Sequence, residues 1–287
     1  MKLRPLAGKV KRKLKPPQYH PPKKSGDKYK ILGKWMYLDD KDSMKLAKFG
    51  IYNFEETKLI KKLVKRKHIV LDIGANIGYF TLLMAKQAKL VHAFEPEAQN
   101  FQLLKKNVEL NKISNVKLHN VAVAEKNGKT KLHLCETNRG MHRIYPSRWC
   151  TEGSNEVKTV RMDDVIQEAD FIKIDVEGAE LGALKGMAKL LKKCEVTILM
   201  EFHPPSIIEY GSKPREIFDL VTSLDYNFKL PLIIESLSFE QIEQRAMEHA
   251  GTNIICTPIA PKKKSETLIS KYIGQKLFPQ MLLNRGP

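Results

Sequence analysis

The run His68-Ile-Val-Leu-Asp72-Ile-Gly74-Ala75-Asn76-Ile-Gly78-Tyr79-Phe-Thr-Leu-Leu-Met-Ala85 settles the architecture. It opens with the apolar triplet Ile69-Val70-Leu71, suited to a strand buried on both faces. Asp72 follows, then a turn from Gly74 to Gly78. Beyond it apolar residues recur at helical spacing: Ile77, Phe80, Thr81, Met84 and Ala88. A buried strand, a glycine turn and a helix form the opening unit of an open α/β sheet, which binds ligands beyond the carboxyl ends of its strands.

The glycine spacing narrows the ligand. A dinucleotide turn needs G-x-G-x-x-G so that backbone can approach a pyrophosphate. Here the middle position is Asn76, and no G-x-x-x-x-G-K-[ST] loop for a triphosphate occurs. An acid just ahead of the turn, Asp72, suits an amine-bearing cation. S-adenosylmethionine (SAM), with an ammonium and a sulfonium, meets that description. The next expected strand, Leu90 to Phe94, ends at Glu95-Pro96, about 20 residues beyond the turn, where a carboxylate can take both ribose hydroxyls. Gly74, Ala75, Asn76, Gly78 and Tyr79 are therefore expected to cradle the cofactor together with Asp72, Glu95 and Pro96. The helix after Glu97 should bury Phe101, Leu104, Val108 and Leu110. Val116 to Val123 alternates as a third strand, with Asn120 and Val121 beside the adenine.

Two later segments carry the chemistry. Phe171-Ile-Lys-Ile-Asp175-Val-Glu177-Gly-Ala-Glu180 reads as a central strand, a turn, and a helix running to Lys193. It lacks the N-P-P-Y or D-P-P-Y tetrapeptide typical of enzymes that methylate base nitrogens. An acid cluster suits a hydroxyl acceptor, whose proton a base must take in the transition state. Val196 to Glu201, followed by Phe202 and His203, reads as a neighbouring strand, so Asp175, Glu177, Glu201 and His203 should converge. His203 suits a general base near neutral pH; one Asp, one Glu and one His could equally hold a divalent metal. Lys129–Cys135 and Glu156–Val160 read as an added hairpin. The long loop between them carries Asn138, Arg139, His142 and Arg143 and is the expected acceptor loop. Asp39–Asp42 and Tyr52–Glu55 are candidate lid segments.

Four motifs in this order, Asp72–Phe80, Phe94–Pro96, Ile174–Glu180 and Glu201–Pro204, resemble the FkbM-type SAM-dependent methyltransferases. Leu38-Asp39, Asp42, Gly50–Tyr52 and Arg161–Val165 resemble flanking parts of that family, and the resemblance spans about residues 36–258. It implies a class I methyltransferase fold: an α/β sheet of about seven mostly parallel strands with helices on both faces. It also implies O-methylation, often of sugars or other hydroxylated metabolites. By position it carries cofactor roles to Gly74, Asn76, Gly78 and Glu95, and active-site placement to Asp175 and Glu177. Asn53 departs from the family pattern of an aromatic followed by Glu.

Composition sets the remaining expectations. The chain has 287 residues, 42% of them hydrophobic, and a net charge of +18. Residues 1–30 hold eleven Lys/Arg against Asp27, plus five prolines, and read as a disordered basic arm able to meet nucleic acid or an anionic membrane surface. Residues 31–260 read as the single catalytic domain and 261–287 as a basic, amphipathic tail. No apolar run is long enough to span a membrane, and no signal peptide follows the basic start. Cys135, Cys150, Cys194 and Cys256 form no C-x-x-C pair, which points to free buried thiols and a cytoplasmic setting. The favoured reading is SAM-dependent methylation of a hydroxyl on a saccharide, glycolipid or other hydroxylated metabolite. The alternatives are a ribose 2′-hydroxyl of RNA, reached with the basic arm, and a non-catalytic binding protein on the same scaffold.

Overall fold

The computed structural model describes residues 27–231, 233, 237–249 and 251–259; most of the basic arm and the whole tail lie outside them. A hairpin of β1 (Lys28–Ile31) and β2 (Lys34–Tyr37) comes first, so the chain is already a strand three residues before the expected end of the arm. Then come α1 (Leu46–Phe49) and α2 (Phe54–Leu63). The expected cofactor unit follows as β3 (Ile69–Ile73), α3 (Tyr79–Ala85), β4 (Leu90–Phe94), α4 (Ala98–Leu110) and β5 (Val116–His119). Next are β6 (Ala122–Val123), β7 (Gly128–His133), β8 (Ser154–Val160), α5 (Met162–Val165) and β9 (Phe171–Ile174). The chain closes through α6 (Glu180–Lys185), α7 (Ala188–Lys193), β10 (Thr197–Phe202), α8 (Pro204–Glu209), α9 (Pro214–Ser223), β11 (Tyr226–Lys229), α10 (Phe239–Glu248) and β12 (Thr252–Pro258).

The main sheet has the order β11-β12-β10-β9-β3-β4-β5, and only β12 runs antiparallel to its neighbours. From β3 the chain winds outward through β4 to β5; it then crosses to β9 and winds the other way to β10. The switch point therefore lies between β3 and β9, where a crevice opens at the strand ends. Alternation along the central strands sorts the core into two layers. Leu71, Ile73, Ile172 and Ile174 face α6, α7, α9 and α10. Val70, Phe171 and Leu199 face α2, α3 and α4. Among the described residues no helix is long and apolar enough to cross a membrane.

Four expectations change. Val116–Val123 is not one strand: Asn120 Nδ2 donates to the carbonyls of Glu95 and Pro96, and the chain leaves the main sheet there. Ala122–Val123 instead joins β8 and β7 in a separate three-stranded sheet. The helix expected from Glu180 to Lys193 breaks at Gly186, which is pressed against the Ala124 carbonyl; a Cβ there would lie 2.1 Å from that oxygen. Asp163 then caps the second half by accepting the Leu190 N–H at 2.8 Å. The strand that the sequence suggests over Phe228–Ile234 is β11, Tyr226–Lys229; Ile234 lies outside the described residues. Finally, Cys135 and Cys150 are joined by a disulfide across the acceptor loop, and only Cys194 and Cys256 are free. The expectation of four free thiols is corrected, and with it the cysteine argument for a reducing compartment.

Gly74 is the tightest point of the turn. Its φ is +85°, and a Cβ would sit 1.8 Å from the Asp175 carbonyl oxygen, so β3 and β9 close on each other only because no side chain intervenes. Gly33 has a similar φ of +82° with nothing within 4 Å. Gly74→Ala should therefore cost about 3 kcal/mol or more, against about 1 kcal/mol for Gly33→Ala, measured by denaturant unfolding. Equal costs would show that the close approach does not constrain the fold.

Candidate active site

The crevice at the switch point is a cleft of about 1080 Å³, its solvent-open mouth included. At the β4–β5 side its wall is apolar, built by Phe94, Pro96, Val121, Val123 and Leu132. Gly74, Ala75 and Asn76 form its floor. Asn76 is itself left-handed at φ +50°, which aims its N–H at the Glu95 carboxylate, 2.8 Å away. The other Glu95 oxygen accepts the Glu97 N–H at 2.9 Å. Glu95 is thus fixed by two backbone donors at the cleft wall, while burial raises its carboxyl to about 7. A flat apolar slot beside a fixed carboxylate suits an adenosine, so the residues present fit SAM.

The β9–β10 side is ionic. Asp175, Glu177 and Glu201 each present an oxygen within 4.8 Å of the others. Lys173, 2% exposed, lies beneath them with its Nζ 2.8 Å from Asp175 Oδ2 and 3.7 Å from Glu56 Oε1, over the Phe80 ring at 4.7 Å. Burial pulls the Lys173 ammonium down, but the charges of Asp175, Glu56 and Asp72 outweigh it and hold it above its usual range. Burial likewise pushes Glu56 up to about 7, against the pull of Lys173. Glu201 and Glu177 are both raised, first by burial and then by the charge of Asp175.

The expected site residues divide. Gly74, Ala75, Asn76, Glu95, Pro96, Val121, Asp175, Glu177, Glu201, Asn138, Arg139 and His142 line the cleft. Asp72 does not: it is fully buried beneath the turn, accepts the Thr81 hydroxyl at 2.5 Å, and pairs in register with Lys173 on the adjoining strand. Its role is counter-charge to Lys173, not a contact to a ligand amine. Gly78 is also beneath, because Leu104 fills the space a Cβ would need. Tyr79 points away, its hydroxyl 2.9 Å from that of Thr57. Asn120 straps the end of β4, as described above.

His203 is the main correction. It caps α8: Nδ1 accepts the Ser206 N–H at 3.1 Å and lies 2.7 Å from the Ser206 hydroxyl. It does not line the cleft and is absent from the carboxylate group. Pro204 at the first helical position explains why the chain turns into a helix there and carries the ring off with it. Arg143 also leaves the cleft. It is buried, bonded to Glu209 Oε2 at 2.6 Å, and lies 3.6 Å from Glu177 Oε2. It acts on the acid cluster from behind.

The acceptor loop closes one side of the cleft with Asn138 to His142 and Ile144. Arg139 does not offer a free cation: its guanidinium is held by Asp40 at 3.1 Å and Glu152 at 2.5 Å. Its N–H donates to Ser43 Oγ, tying the loop to the segment that supplies Ser43, Met44 and Tyr52 to the cleft. Of the candidate lid segment Tyr52–Glu55, Tyr52 lines the cleft, whereas Asn53 caps α2 by accepting the Glu56 N–H.

The sequence reading assigned no site role to Lys173, Glu56 or Phe80. A lysine within the apolar strand Phe171-Ile-Lys-Ile was the available signal, since a buried cation requires partners. Lys173→Met should destabilise the fold by about 3 kcal/mol or more in denaturant unfolding, because Asp72, Glu56 and Asp175 would lose their shared cation. A loss under about 1 kcal/mol would contradict that account.

The chain is similar to several known proteins. The model of the FkbM methyltransferase domain matches residues 72–229. The hexuronic acid methyltransferase AglP of Haloferax volcanii is 25% identical over 171 residues, covering 58% of this chain and 66% of that protein. Methyltransferase 1 of Beauveria bassiana is 26% identical over 147 residues, covering 41% of this chain and 57% of that protein. A crystal structure of an FkbM methyltransferase from Methylobacillus flagellatus is 17% identical, with a TM-score of 0.44 over 67% of this chain and 44% of that one. This chain spans about two thirds or less of the length of each. The domain match covers more than half of the 287 residues, from the glycine turn through the acid cluster to β11: the chain belongs to the FkbM family of SAM-dependent methyltransferases.

Proposed function

We propose that the protein transfers a methyl group to a hydroxyl of a saccharide or a saccharide-bearing lipid. The observation that carries this reading is the cluster of Asp175, Glu177 and Glu201 at the ends of two adjacent strands, facing the cleft beside the cofactor turn. SAM, when bound, supplies an electrophilic methyl on its sulfonium. A neutral hydroxyl is a poor nucleophile, and its attack is assisted by a base that takes the proton as the O–C bond forms. A carboxylate whose pKa is raised toward neutrality is better matched to that task than an ordinary one. Glu201 is the best placed: it lines the cleft, and no described side chain donates a hydrogen bond to its carboxylate. Asp175 is engaged by Lys173 and Glu177 by Arg143. These two orient the acceptor and set the field around Glu201.

The acceptor class follows from charge and from the relatives. The cleft's two cations, Lys173 and Arg139, are each spent on carboxylates, so the site presents hydrogen-bond acceptors to an incoming group. A polyol donates to such acceptors. A ribose 2′-hydroxyl would bring its neighbouring phosphates up to the same three acids. The hexuronic acid methyltransferase among the relatives adds support for a saccharide.

Two outcomes are expected. Glu201→Gln should lower kcat by about 100-fold or more with SAM affinity retained in calorimetric titration, and the parent's kcat should rise with pH through neutrality. The sign follows from the raised carboxyls: at low pH they carry a proton and cannot accept another. A flat pH profile, or turnover lost on chelation and restored by a divalent cation, would replace the base with a metal-assisted reaction. Separately, Glu95→Ala should weaken SAM binding by about tenfold or more, since one carboxylate takes two ribose hydroxyls; unchanged affinity would remove Glu95 from the cofactor site.

A further inference from the structure

We propose that the outer face of α2, with the turn that precedes it, is a docking surface for an anionic lipid membrane, which delivers the acceptor to the cleft. The delivery step rests on the saccharide-lipid reading above; the docking does not. On α2 the exposed residues Phe54, Lys58, Lys61 and Lys62 recur at helical spacing and share one face, while Thr57 and Ile60 are buried on the other. Lys65, Arg66 and Lys67 continue the exposed series beyond the helix. At the end of α1 Phe49 is 62% exposed with Lys48 Nζ 5.1 Å from its ring centre, and Phe54 at the start of α2 is 60% exposed. From residue 41 to 67 Glu55 is the sole exposed acid, and none of these lysines forms an ion pair among the described residues.

Unpaired cations surrounding two solvent-facing phenyl groups match an anionic bilayer interface. The lysines meet headgroup charge while the rings enter the acyl boundary. An aqueous surface gains nothing from exposing the rings. The location matters as much as the composition. Ser43, Met44 and Tyr52, which line the cleft, lie on the same short stretch as Lys45, Lys48 and Phe49. Docking through this stretch therefore sets the cleft wall at the membrane, where a lipid-borne saccharide headgroup is presented. RNA fits the lysines but not the cleft, whose acids oppose a phosphodiester.

The test is sedimentation of the full chain with phosphatidylcholine vesicles, with and without about a third of phosphatidylglycerol. Binding should need the anionic lipid and weaken steeply with salt. The full-chain variant Phe49→Ser, Phe54→Ser, Lys58→Glu, Lys61→Glu should bind about tenfold or more weakly, with SAM affinity unchanged as the check on folding. Undiminished vesicle binding by this variant, or binding of single-stranded RNA in place of vesicles by the parent, would overturn the surface. Vesicle binding that depends on these residues in a protein that methylates no saccharide would uphold the docking and remove the acceptor reading.

Discussion

A lysine buried in the central strand governs the site. Lys173 sits at 2% exposure, and an isolated ammonium there would be prohibitively costly. It persists because four groups from four places in the chain converge on it: Asp72 from β3, Glu56 from α2, Asp175 from the end of β9, and the Phe80 face from α3. Each partner is itself a buried or half-buried acid or ring that would be unfavourable alone. The cation is thus the fixed point that draws the lead-in helix onto the sheet and holds Asp175 at the mouth of the cleft. Buried ion pairs contribute little net stability compared with apolar packing. Here the gain is positional: one charge fixes the relative placement of α2, β3 and β9.

Consequences spread outward from that point. With Asp175 held by Lys173, the adjoining acids Glu177 and Glu201 are left in a like-charged, desolvated setting, which raises both. Glu177 pays a backbone strain as well, at φ +57°, and is kept there by Gly178, whose Cα lies so close to the Ser206 carbonyl that a Cβ would come within 2.6 Å. The turn that carries Glu177 is therefore held by its packing against α8 rather than by its own sequence alone.

How much of this was legible in the sequence depends on the range of the forces involved. The strand-turn-helix from Ile69, the Glu95 position and the approach of β9 to β10 were readable, because local periodicity and spacing determine them. Of the three misreadings at His203, Asp72 and Asn120, two are non-local. His203 lies two residues past Glu201, so proximity in sequence placed it in the cluster; Pro204 and the Ser206 cap instead start a helix that removes it. Asp72 looked like a ligand because it flanks the turn, yet its charge answers Lys173, about 100 residues away in sequence and adjacent in register. Asn120 is placed by spacing beside an adenine, yet its amide is bound to the Glu95 and Pro96 carbonyls just past β4. For Asp72 and Asn120 a polar side chain is claimed by a charge or backbone distant in sequence, which no local pattern encodes; for His203 a local capping signal outweighs nearness to Glu201.

The loop between β7 and β8 is the most heavily anchored wall of the cleft. Its neck is closed by the Cys135–Cys150 bond, its near side is lashed to the lead-in by Arg139, and its far side is fixed to Glu177 and Glu209 by Arg143. Tyr145 adds a hydroxyl bond to the Glu177 carbonyl at 2.8 Å. Anchors of this number leave the tip, Asn138 to His142, as the part of the loop that faces the cleft without being committed to the acid cluster. Because Arg143 and Tyr145 grip the same residue that helps set the field around Glu201, loop placement and acid placement are one mechanical unit. On the proposed reading, changes at the tip would alter which hydroxyl is presented, and changes at the anchors would alter the setting of the acids.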